Sequence, residues 1–103
     1  MGEYIYMVQL DVADEADADF NRVYDTEHGP LLTAIAGCSG CRRYKLVSST
    51  ADGTQRYVAI YEIDSPDLPK GDAWQEAAKK GEWPTKVKPF IRNGQRHIFE
   101  RVG

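Results

Sequence analysis

Long apolar runs are missing from this chain. None of its 103 residues falls in a stretch approaching the roughly 18 apolar residues of a membrane span, so no membrane partner is expected. Basic charge is not in excess: 13 Lys and Arg stand against 16 Asp and Glu, for a net charge of -3. That balance argues against a phosphate-tracking surface, and no nucleic acid is expected as a partner. The opening segment, MGEYIYMVQLDV, lacks a basic region followed by a long apolar core. It does not read as a secretion signal, and the expected location is cytoplasmic. The sequence has no phosphate-binding glycine loop, no HExxH and no Rossmann fingerprint. No Ser-His-Asp arrangement stands out.

Cysteine and histidine are scarce, with two of each. Cys38 and Cys41 follow a helical segment and precede a strand. A thioredoxin-like pair needs a helix N-terminus, where the dipole lowers the thiol pKa. A zinc site needs about four ligands, so both His28 and His97 would have to converge there. The pair reads as ordinary loop cysteines, and no metal is expected.

What is present is enough for one domain spanning residues 1–103, with 42% hydrophobic and 28% charged residues. Residues 4–11 are rich in β-branched and aromatic side chains and predict a first strand. The acidic run Asp14–Asp19 predicts a helix N-terminus capped by Asp14. Phe20, Tyr24, His28, Leu31 and Ile35 then share one helical face. Gly29-Pro30 should kink or interrupt that helix, because proline has no amide to donate. Gly37 and Gly40 end it.

Residues 41–48 and 56–63 predict two strands joined by a hairpin loop around Asp52-Gly53. A second helix is expected over 72–80, with Asp72 and Gln75 as a capping box. Residues 82–93 should be irregular or briefly helical, Asn93-Gly94 a turn, and 95–102 the last strand. The order is β-α-β-β-α-β. This is an α+β, ferredoxin-like βαββαβ plan: a four-stranded antiparallel sheet with helices on one face. Strands one and three carry apolar residues at both parities. The face away from the helices therefore needs a cover, and a second copy of the chain would supply it as a homodimer.

The segment Tyr24-Asp25-Thr26-Glu27-His28-Gly29-Pro30 resembles the Tyr-x-x-Glu-His-x-Pro pattern of EthD-like members of the dimeric α+β barrel superfamily. The likeness runs on through Gly37, Arg42-Arg43-Tyr44 and Tyr57–Glu62. It implies a dimeric α+β barrel with a pocket between the first helix and the sheet, lined by His28. The superfamily includes polyketide cyclases, lactone isomerases, haem-degrading and quinol monooxygenases, and proteins without known activity.

His28 is the centre of the expected chemistry, since an imidazole near neutral pKa takes or gives a proton at pH 7. The bland alternative is a core histidine satisfied by a hydroxyl or carbonyl. Tyr24 lies one turn earlier and would orient His28 or polarise a carbonyl. Glu27 lies about 100° around the helix, and is expected to pair with Arg42 or Arg43. His97 joins the catalytic set if the last strand turns it toward the helices. Arg43 would hold a substrate carboxylate. Tyr61, Trp74, Trp83 and Phe90 would form an aromatic wall, with packing as the simpler role of each.

These residues support an enzyme without a cofactor, transferring protons on a small aromatic, phenolic or polyketide-like molecule as a cyclase, isomerase or lyase. The alternatives are a monooxygenase of the same fold, cofactor-free or with His28 or His97 on haem iron, and a non-catalytic ligand-binding or stress-associated dimer.

Overall fold

A computed structural model describes residues 3–103. The first strand, β1, runs Tyr4–Val12. A short turn of 3-10 helix leads to α1, Asp17–Val23. The chain passes through a π-helical turn, Tyr24–His28, into α2, Gly29–Thr33. After Gly37, whose φ is +97°, it enters β2, Cys38–Lys45, then β3, Tyr57–Ile63. Helix α3 covers Asp72–Ala78. A second π-helical turn, Trp83–Val87, precedes β4, Ile91–Glu100.

All three strand pairings are antiparallel, in the order β2-β3-β1-β4. The sheet and its one layer of helices are 18 Å through the thinnest dimension and 35 Å across. That is the thickness of two layers only.

Alternation sorts the side chains. Tyr6, Val8 and Leu10 of β1 share a face with Tyr61, Ala59 and Tyr57, their partners on β3. This is the helix face, where Phe20, Val23, Leu32, Trp74 and Val87 complete the core. The opposite face carries Ile5, Met7, Val58, Ile60, Tyr44 and Phe99, in register across all four strands. No helix of the described residues covers it, and Tyr44 and Phe99 are 50% and 49% exposed.

Several local expectations are corrected. Asp14 caps no helix. The acidic run works through Asp17 instead, which accepts hydrogen bonds from Tyr57 (2.6 Å) and Arg56 (2.9 Å) and ties α1 to β3. Asp72 and Gln75 form no capping box, because Gly71 occupies the cap position. Gln75 donates to the Pro69 carbonyl at 2.9 Å. Asn93-Gly94 is not a turn but a bulge inside β4. The pairing shifts between Gln9 and Asp11, and Asn93 takes φ +54° while donating to Asp11 at 2.9 Å. The cysteines sit in β2, not in a loop, and both are free thiols.

Candidate functional site

The helix stripe Phe20, Tyr24, His28 leads from a packed end to an open one. At its far end lies a cavity of about 190 Å³ between the helices and the sheet. Tyr6, Val8 and Leu10 of β1, Tyr61 of β3 and Ile91 of β4 form its sheet wall. Tyr24, His28 and Leu32 come from the first helical stretch, Trp74, Gln75 and Ala78 from α3, and Trp83 from the second π-helical turn. Lys79, Lys88 and Arg96 complete the lining.

The π-helical turn at His28 has a local cause. Pro30 lacks the amide that would reach the Thr26 carbonyl. Thr26 Oγ1 donates back to the Arg22 carbonyl at 2.7 Å, which loosens the same ladder. The Gly29 amide then bonds the Tyr24 carbonyl five residues back. A Cβ on Gly29 would lie 3.0 Å from that carbonyl, so the close approach suits glycine. The expected interruption at Gly29-Pro30 is thus a widened turn, and the helix continues beyond it.

His28 is 7% exposed. Its ring stacks on Trp83 at 3.6 Å with an interplanar angle of 8°, and meets the edge of Tyr24 at 5.0 Å. Nδ1 is buried and hydrogen-bonded to no protein group. A buried polar atom left so costs about 1–3 kcal/mol. Burial holds the imidazole pKa down to about 4, so His28 is neutral at pH 7.

The Tyr24 hydroxyl does not orient His28. It hydrogen-bonds the Tyr61 hydroxyl deep in the core, and burial raises both phenols above their ordinary range. Trp83 fixes the imidazole plane instead. Glu27, expected beside Arg42 or Arg43, accepts a hydrogen bond from the Glu82 amide at 2.9 Å. It thereby clamps the segment that presents Trp83. Gly81, at φ +70°, makes room for the clamp: a Cβ there would lie 1.9 Å from Glu27 Oε1.

Tyr61 and Trp74 line the cavity. Phe90 does not; it packs against the core beside Ile91. Arg43 faces the helices but is committed. It donates to Asp25 and Asn21, each at 2.6 Å, and lies over the Tyr24 ring at 4.6 Å. His97 pairs with Met7 and is exposed on the face away from the helices, so it does not join His28 within this subunit. Its neighbour Arg96, paired with Val8, takes the cavity side. Burial pushes the Cys41 thiol up to about 11 and raises Cys38 as well, which leaves neither activated. No group of three His, Cys, Asp or Glu among the described residues is placed to hold a metal. No helix of the described residues is long and apolar enough to cross a membrane.

No family model and no curated protein matches the chain. Solved structures do. One is a protein of Bordetella bronchiseptica assigned as an antibiotic biosynthesis monooxygenase, 19% identical, with TM-score 0.70 over 99% of both chains. Another is an ethyl tert-butyl ether D (EthD) family protein of Bacillus halodurans, 15% identical, with TM-score 0.65 over 96% of this chain and 99% of that one. A third is the haem degrader MhuD of Mycobacterium tuberculosis, with two haems in its active site. It is 16% identical, with TM-score 0.62 over 96% of this chain and 95% of that one. These likenesses show the fold. That fold is ferredoxin-like, a four-stranded antiparallel sheet with helices on one face, and the similar structures include EthD-like proteins.

Proposed function

We propose that the protein is an enzyme that moves a proton on a small, single-ring aromatic or phenolic molecule, with His28 as base. The carrying observation is the neutral, unpaired imidazole at the wall of a cavity lined by aromatic, aliphatic and cationic side chains. A histidine serving only the core would have its nitrogens satisfied by protein. Stacking on Trp83 holds the ring plane without using either nitrogen. Low local polarity strengthens each interaction that a developing charge meets there.

The Tyr6 hydroxyl lies at the wall of the same cavity and would donate to a substrate carbonyl. The volume limits the substrate. Binding benzene takes roughly 150 Å³, so about 190 Å³ has room for one substituted ring.

A monooxygenase reading is favoured by the description of one similar structure, and its haem-linked form by the haems in the active site of another. A porphyrin is several rings across, and the residues around His28 do not fit one within this cavity. The cofactor-free form remains, and it begins with the same proton removal before oxygen reacts.

The test is proton–deuterium exchange at the methyl group of 2-hydroxyacetophenone in D₂O, followed by NMR. Wild-type protein should accelerate it, and His28→Gln should reduce the rate about 100-fold. Equal rates for the two would overturn the role of His28. Oxygen uptake in the same mixture would select the monooxygenase reading.

The same reading takes the protein as a homodimer, with the open apolar face closed by a second sheet. Light scattering should give twice the chain mass, and Ile60→Glu should give the single mass. A wild-type monomer at micromolar concentration would contradict the dimer.

A further inference from the structure

The cavity has a second chemical character besides its aromatic floor. Lys79, Lys88 and Arg96 line it, and no Asp or Glu does. The chain as a whole carries more acidic than basic residues, so the lining departs from the composition in sign.

The three cations reach the cavity from separate elements. Lys79 follows the C-terminus of α3, Lys88 follows the second π-helical turn, and Arg96 lies on β4. Their convergence is a property of the fold and not of a local charge run. None of the three has a carboxylate within 4.0 Å among the described residues, whereas Arg22, Arg43, Arg56 and Lys86 do. Arg96 sits close enough to the Tyr6 hydroxyl to oppose the upward push that burial gives that phenol. Its guanidinium therefore bears on the lining as well as on solvent.

We propose that this cavity selects a single-ring aromatic carboxylate, with the ring against Trp74 and Trp83 and the carboxylate among Lys79, Lys88 and Arg96. The proposal rests on the reading of the cavity as a substrate site and adds the charge of the substrate. Ring size follows from the volume of about 190 Å³. The anion follows from three cations without a counter-charge. Each exposed cation contributes little alone, but together they raise the local anion concentration and favour one orientation.

The two tryptophans of the chain both line the cavity, so intrinsic fluorescence reports on it without any assay of activity. The probes are benzoate and its neutral isostere benzamide. Benzoate should quench the tryptophans with about tenfold higher affinity than benzamide at low salt, and the advantage should shrink as salt is added. The Lys79→Gln/Lys88→Gln/Arg96→Gln variant, its fold checked by circular dichroism, should bind the two probes alike and keep the wild-type affinity for benzamide. Equal affinities in the wild-type protein would overturn the anion selectivity and leave the substrate cavity standing. A preference for benzoate that survives in the triple variant would place the anion elsewhere and also overturn it. Quenching by neither probe would overturn both the selectivity and the cavity as a ring-binding site.

Discussion

The two ends of one helix stripe are built to opposite standards. Phe20 is 1% exposed and packs against Tyr24, Tyr57 and Trp83, with Arg43 over its ring. Polar groups around it are paired, through Asp17 with Tyr57 and through Asn21 with Arg43. Eight residues on, His28 lines a cavity, and its buried Nδ1 is satisfied by no protein group. The first end is what packing alone produces. The second retains a cost that a simple core residue would remove, and retained costs of this kind concentrate where ligands are handled.

Substitution at the two ends should therefore have opposite signs. Phe20→Ala should destabilise the protein by about 3–5 kcal/mol, from lost burial and the void left behind. His28→Phe preserves the stack on Trp83 and removes the orphaned nitrogen, so it should stabilise by about 1 kcal/mol. Urea denaturation checks both, and a large loss from His28→Phe would make the two ends alike.

The next effect is in pH. Burial lowers the His28 pKa in the fold, so the unfolded chain binds the extra proton first. The contribution of neutral His28 is complete above the ordinary pKa of about 6.5 and is lost as pH falls toward about 4. The loss over that window is on the order of 3 kcal/mol. His28→Phe should flatten this part of the profile, and an unchanged slope would assign it to other groups.

A smaller effect lies in the clamp. Gly81→Ala puts a Cβ against Glu27 Oε1 and a side chain at φ +70°, so it should cost about 1–2 kcal/mol. It should also red-shift tryptophan emission as Trp83 leaves the imidazole. Glu27→Gln keeps an acceptor for the Glu82 amide and should do neither. An unmoved spectrum in Gly81→Ala would separate the clamp from the stack.

Much of the sheet could be read from alternation alone, since both parities of the first and third strands are apolar and each parity has its own face. The last strand was harder. Asn-Gly suits a turn and a bulge equally, and only pairing with β1 shows that Asn93 is absorbed inside β4. The same pairing decides that Arg96 and not His97 faces the helices. No single strand carries that information. His28 was legible from its four-residue spacing after Tyr24. Trp83 was legible as an aromatic, though not as the partner of His28. The widened turn was signalled only by Gly29-Pro30, which marks a disturbed helix without saying which kind. Lys79 and Lys88 were not legible as site residues, because they come from segments that meet only in the folded chain.

The central claim is that His28 is a neutral base at the wall of a cavity rather than a histidine satisfied by the core. The most direct measurement is the ¹⁵N NMR titration of its imidazole in the wild-type protein. The account predicts a ring that stays neutral down to about pH 4 and whose nitrogen shifts move when benzoate is added. A ring that titrates near 6.5 or above, with shifts indifferent to benzoate, would contradict it.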